Sequence, residues 1–159
     1  MPTNDTLVIC DVSNLAHRAR WSHGTMLSPT GEPCGVLFGI YQECKKLQEM
    51  FDTNTLAFCF DSRYLIRQTL LPGYKGAREA KKQEESDEDK ETRQFMYRQV
   101  KTLNRLLPVM GCKNVYGVKN YEADDLIASL AENSRGFKKT VIVSSDEDLH
   151  QCLGPDIVQ

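Results

Sequence analysis

The sequence predicts an α/β fold built on a mainly parallel, doubly wound sheet, and three observations carry that reading. Apolar runs at 7–10, 56–60 and 140–143 are short and continuous, as in strands buried on both faces. Stretches with helical spacing separate them. Acidic residues follow the runs closely, at Asp11, Asp61 and Asp146, and such sheets gather ligands outside the carboxyl ends of their strands.

Leu7-Val8-Ile9-Cys10 is the first strand and Leu56-Ala57-Phe58-Cys59-Phe60 the second. Between them, Leu37, Ile40, Tyr41, Cys44, Leu47 and Met50 recur at helical spacing, giving a strand-helix-strand crossover. The spacing of Phe95, Met96, Gln99, Val100, Leu103 and Leu106 predicts a helix over 92–107, ended by Pro108. A weaker strand is expected at Asn114–Tyr116, a third helix over 121–131, and a last strand at Val141-Ile142-Val143. The segment Pro72-Gly73-Tyr74-Lys75-Gly76 is rich in turn residues, and 80–91 has almost no apolar residue to bury. Residues 79–91 are therefore expected to form a flexible loop or an exposed helix protruding from the domain. A new extended run begins at Gly154 and ends at Gln159 without a cap, as if cut in mid-structure.

A chain of 159 residues fits one domain, 1–159, burying about two-thirds of its unfolded surface. It contains no apolar run long enough to cross a membrane, and Met1-Pro2-Thr3-Asn4-Asp5 lacks the layout of a signal peptide, so a cytoplasmic location is expected. Six cysteines without C-x-x-C spacing read as buried thiols, not as a disulfide frame or zinc site. The net charge of -2 is unevenly spread. Residues 63–105 carry eleven Lys/Arg against seven Asp/Glu, a surplus of +4 that leaves -6 on the remainder. A basic stretch beside an acidic site suits a protein that holds a polyanion together with a metal ion.

Seven carboxylates form the candidate metal site: Asp11, Asp61, Glu122, Asp124, Asp125, Asp146 and Asp148. Gathered at one rim they would repel one another unless a cation neutralised them, and hard oxygen donors suit Mg²⁺ or Mn²⁺ better than zinc. Each also has a plainer reading. Asp11 could cap the following segment, since Asp-x-Ser-Asn is good turn chemistry. Glu122, Asp124 and Asp125 could complement a helix dipole, worth roughly 0.3 to 1 kcal/mol each. Asp146 and Asp148 could cap a short helix. Joint placement after three strands favours the metal. Lys75 and Arg78 are either a solvated basic turn or a phosphate-directed pair. Tyr74 could stack on a base or pack on its own domain. His17 reads as a packing or phosphate-contacting residue. P-loop, G-x-G-x-x-G, G-x-S-x-G and H-E-x-x-H patterns are absent.

Tyr121-Glu122-Ala123-Asp124-Asp125-Leu126-Ile127-Ala128 and Val141-Ile142-Val143-Ser144-Ser145-Asp146-Glu147-Asp148-Leu149, with Phe60-Asp61 and Leu71-Pro72-Gly73-Tyr74-Lys75-Gly76-Ala77-Arg78, resemble the 5′ nuclease family. That family comprises flap endonucleases, the 5′-to-3′ exonuclease domain of bacterial DNA polymerase I and related bacteriophage exonucleases, and the resemblance spans essentially the whole chain. It implies a PIN-like 5′ nuclease core, a structure-selective phosphodiesterase acting on DNA 5′ ends or flaps in replication or repair. The seven carboxylates match metal ligands for two Mg²⁺ ions, with Mn²⁺ able to substitute. Asp124 and Asp146 take catalytic roles with Lys75 and Arg78, which match basic residues at the base of a helical arch. Tyr74, Lys81 and Lys82 join Lys75 and Arg78 as expected nucleic-acid contacts. The acidity of 81–91 departs from the family's arch. The family also continues into a C-terminal helical module that grips duplex DNA and supplies more aspartates; here such a module, in the same chain or a separate polypeptide, would complete the site, leaving the isolated chain weak or inactive. Two rivals remain: a PIN-type RNA nuclease, and a catalytically silent nucleic-acid-binding module that needs a partner.

Overall fold

The computed structural model describes residues 4–62, 70–71, 73 and 85–159. Tyr74, Lys75, Arg78, Lys81 and Lys82 lie outside the described residues.

Among the described residues five strands form one sheet: β1 (Thr6–Asp11), β2 (Leu56–Cys59), β3 (Asn114–Tyr116), β4 (Lys139–Val143) and β5 (Ile157–Val158), in the order β3-β2-β1-β4-β5. All four strand pairings are parallel. The extended run expected at the end of the chain is β5, paired with β4. Chain order runs outward from β1 on one side through β2 and β3, then returns to its other side for β4. The order therefore reverses between β1 and β4, and crevices at such points are where open α/β sheets take ligands.

Side-chain alternation along β1 divides the interior in two. Val8 and Cys10 face a core built with α1 (Val12–His23), α2 (Gly35–Phe51) and α3 (Asp87–Val109). Leu7 and Ile9 face a second core built with α4 (Ala123–Glu132) and a short 3₁₀ helix at Glu147–Cys152. Helices thus cover both faces, which is why the strands read as unbroken apolar runs.

One helix was not expected. α1 follows β1 directly, buries Val12, Leu15, Ala16 and Ala19, and is capped by Asp11, whose side chain accepts from the Asn14 N–H. The Asp-x-Ser-Asn sequence that reads as a turn is in fact a helix start. α1 packs closely on α2 because Gly39 has no Cβ; one built there would lie 2.7 Å from the Ala19 Cβ. No side chain of Cys34 caps α2. Instead, buried Gln99 of α3 accepts from the backbone N–H of Val36 at 2.9 Å and of Leu37 at 3.2 Å.

α3 begins five residues before the expected Thr92, so the described part of 79–91 is an ordered helix start and not a loop. Its first turn carries Asp87, Glu88 and Asp89 behind Ser86, whose hydroxyl accepts from the Asp89 N–H. An N-cap and acids at the positive end of the dipole outweigh the lack of apolar residues. The same turn is tied to α1 through Arg20–Asp89 (3.8 Å), and Arg93 further along α3 pairs with Glu85 just before it (3.0 Å). Pro108 sits inside the last turn, which runs on to Val109.

Cys10 and Cys59 are buried, while the other four cysteines are partly exposed, so the expectation of six buried thiols holds for two; all six are free. Burial pushes the Cys44 and Cys59 thiols up to about 12, leaving them neutral, small apolar groups in the core. Among the described residues no helix is long and apolar enough to cross a membrane.

Candidate metal centre

Three strand ends and one helix start deliver carboxylates to the point where strand order reverses. Asp11 closes β1 and is buried, with 6% exposed. Both its oxygens are engaged: Oδ1 accepts from the Asn14 N–H at 3.0 Å and Oδ2 from the Ser144 hydroxyl at 2.7 Å. Asp61 follows β2, whose end is held when the Phe60 N–H donates to the Tyr116 carbonyl and the Ser62 N–H to that of Tyr121. Those ties set Asp61 beside α4, where its Oδ1 accepts from the Ala123 N–H at 2.8 Å. Asp146 follows β4 and caps the 3₁₀ helix, its Oδ1 accepting from the Asp148 N–H at 3.0 Å.

Asp11, Asp61, Asp124, Asp146 and Asp148 line one open cavity of about 620 Å³, together with Ser13, Asn14, His17, Ala123, Ser145 and Glu147. Glu122 and Asp125 are not on its wall. They form a reciprocal capping box at the start of α4, in which the Glu122 N–H donates to Asp125 Oδ2 at 3.0 Å and the Glu122 carboxylate accepts from the Asp125 N–H. Larger hollows of about 700 and 830 Å³ lie between α1 and α2 and between α2 and α3, away from the carboxyl ends of the strands. Chemistry, not size, distinguishes the acidic cavity.

Its electrostatics are those of crowded anions. Burial, and then the charges of Asp11, Asp146, Asp61 and Glu122, push the Asp124 carboxyl up to about 6. Asp11 is also raised, mainly by burial, although hydrogen bonds from Asn14 and Ser144 pull it back. Burial and neighbouring charge thus oppose ionisation of Asp124 and Asp11, an arrangement that a divalent cation would relieve. No three His, Cys, Asp or Glu side chains among the described residues come together as a ready-made ligand cage. The carboxylate oxygens on the cavity wall are hard donors of the kind a divalent cation takes.

Five of the seven carboxylates expected from the sequence meet at this cavity, and two residues not expected there, Asn14 and Gln159, support its wall. Asn14 Nδ2 donates to the Ser145 hydroxyl, and Gln159 Nε2 donates to the carbonyls of Ser144 at 3.0 Å and Asp146 at 2.9 Å. Neither residue type signals such a role; only the pairing of β1 with β4 and of β4 with β5 brings them there. His17, expected to pack or to contact phosphate, is on the cavity wall.

Residues 6–159 match the family described as 5′-3′ exonuclease, N-terminal resolvase-like domain. The chain belongs to that family. A 5′-3′ exonuclease of Streptomyces coelicolor is 28% identical over 92% of this chain and 48% of its own length. One from Mycobacterium tuberculosis is 28% identical over 96% of this chain and 48% of its own. DNA polymerase I of Chloroflexus aurantiacus is 28% identical over 95% of this chain and 15% of its own. The chain spans about half the length of those two exonucleases. Among solved structures, T5 5′-exonuclease with bound zinc superimposes with a TM-score of 0.78 at 19% identity, over 96% of this chain and 53% of that one. A complex of bacteriophage T5 flap endonuclease with DNA and metal ions gives 0.78 at 20% identity, over 96% and 53%. At that identity the likeness is one of fold: a parallel sheet with flanking helices, as this family's exonucleases have.

Proposed function

We propose that the chain is the N-terminal catalytic part of a metal-dependent 5′-to-3′ exonuclease or structure-specific flap endonuclease that hydrolyses DNA phosphodiester bonds in replication or repair. The observation that carries the reading is the convergence of Asp11, Asp61, Asp124 and Asp146 at the switch point, where burial and then the neighbouring carboxylates push Asp124 up to about 6. Family membership, and the DNA and metal ions bound by the T5 enzyme of like fold, support it. The PIN-like variant of the architecture, with an arch-like segment within 79–91, belongs to the same reading.

Mg²⁺, or Mn²⁺ in its place and two ions in the complete site, would supply an activated water and charge stabilisation at the leaving 3′ oxygen. Asp124 and Asp146, with Asp11, Asp61 and Asp148, hold negative charge where those ions would bind. The hydrogen bonds to Asp11, Asp61 and Asp146 fix their oxygens before any ion arrives, so little reorganisation is needed. Glu122 and Asp125 set the direction of the α4 first turn and thereby of Asp124; as neighbours of the cluster they remain candidates for contact with an ion through water. Lys75 and Arg78 are assigned to the scissile phosphate, and Tyr74, Lys81 and Lys82 to the strand beyond it. DNA with a 5′ end or flap is the partner, and a C-terminal module would complete the grip on duplex.

Cleavage of matched DNA and RNA flaps in Mg²⁺, by this chain and by a form carrying a C-terminal module, tests the proposal. DNA cutting at the flap base, lost with a chelator and in Asp146→Asn, is expected. Preference for RNA would point to a PIN-type nuclease, and binding without metal-dependent cutting in either form to a silent module.

A further inference from the structure

The register of the sheet places Cys10 beside Val143, so the next residue on each strand, Asp11 and Ser144, lie side by side at the carboxyl ends. Ile9 and Ile142 share the core on the α4 face, and two residues further along Asp11 and Ser144 return to that same face. The Ser144 hydroxyl donates to Asp11 Oδ2 at 2.7 Å and accepts from the Asp146 N–H at 3.2 Å. A hydroxyl can do both at once because it carries one donor and two acceptor sites. The loop is held from two other directions as well, by Asn14 through Ser145 and by Gln159 through the carbonyls of Ser144 and Asp146.

We infer that Ser144 is a positioning residue: its hydroxyl latches Asp11 to the Asp146 loop across the β1–β4 crevice, fixing the spacing of two carboxylates from different strands for one divalent ion. The inference rests on the reading of the cavity as a metal site. Asp11 commits Oδ1 to the α1 cap, and Ser144 is the side chain that holds Oδ2. Without the Ser144 hydroxyl, Oδ2 loses that partner and the Asp146 N–H its acceptor. A single side chain therefore governs carboxylates on both sides of the crevice, and outer partners of this kind set metal affinity without touching the ion.

The test titrates the chain and its Ser144→Ala, Ser144→Thr and Ser144→Val variants with Mn²⁺, reading the free ion by electron paramagnetic resonance, with thermal melts to establish folding. Threonine and valine match in shape and differ by the hydroxyl, so a purely structural role would not separate them. Ser144→Ala and Ser144→Val should bind about 10-fold or more weakly, while Ser144→Thr stays near the parent chain. Should Ser144→Val not fold, Ser144→Ala against Ser144→Thr makes the same comparison. Equal affinities in the hydroxyl-bearing and hydroxyl-free variants would overturn the latch alone. Absence of Mn²⁺ binding by the parent chain would overturn the latch together with the metal-site reading.

Discussion

Asp61, just beyond β2, accepts a hydrogen bond of 2.8 Å from the backbone N–H of Ala123, so the second strand caps the helix that carries Asp124. One carboxylate thus contributes to the architecture of the site and to its charge. The two roles separate by substitution. Asp61→Asn keeps an oxygen acceptor and removes the charge, so it should leave stability unchanged or slightly raised while weakening Mg²⁺ binding. Asp61→Ala loses the cap as well and should cost about 1 kcal/mol in urea unfolding.

Burial and crowding at Asp124 give a pH signature. Its carboxyl titrates at about 6 in the folded chain against 3.8 as the reference value. The folded state therefore binds that proton more tightly, so the anionic form weakens folding above about pH 6, and the penalty disappears as pH falls from there toward 4. Melting temperatures of the metal-free chain and Asp124→Asn should differ most near neutral pH, with the variant higher, and converge in acid. Millimolar Mg²⁺ should raise the parent's melting temperature at neutral pH, because the ion binds the native state.

The capping box makes a separate prediction for Glu122 and Asp125. Asp125→Ala removes the acceptor for the Glu122 N–H and should destabilise the fold by about 1 kcal/mol, with divalent affinity falling no further than the loosened first turn that carries Asp124 accounts for. Calorimetric titration beside urea melts checks it. Loss of affinity larger than the loss of stability would restore Asp125 to the ligand set.

Gln99 caps α2 from α3 through two backbone N–H groups. Gln99→Leu fills similar space but leaves Val36 and Leu37 without their acceptor, so it should cost on the order of 1–3 kcal/mol in urea unfolding. Hydrogen exchange at those two amides should accelerate together.

How much of this was legible follows from which interactions are local. β1, β2 and β4 were readable because both faces are buried and the runs are unbroken. α1 was not: its buried positions include the small Ala16 and Ala19, and apart from the exposed Trp21 the rest are charged or polar, so no strong apolar stripe marks it. The early start of α3 depends on Ser86 and on Arg20 and Arg93 neutralising its acids, and the Arg20–Asp89 pair spans elements far apart in sequence. At the site, the acids after strands could be found by position. That Glu122 and Asp125 pair with each other was available as a capping pattern at i and i+3. The bonds from Ser144 to Asp11, Asn14 to Ser145 and Gln159 to the Asp146 loop were not available, because they follow from strand register alone.

The central claim is that the carboxylates at the β1–β4 crevice bind a divalent ion, and calorimetric titration of Mg²⁺ into the chain and into Asp124→Asn/Asp146→Asn tests it most directly. The account predicts saturable binding by the parent chain and its loss in the double variant, which should still melt cooperatively and no lower than the metal-free parent. An unchanged isotherm in the folded double variant would contradict it.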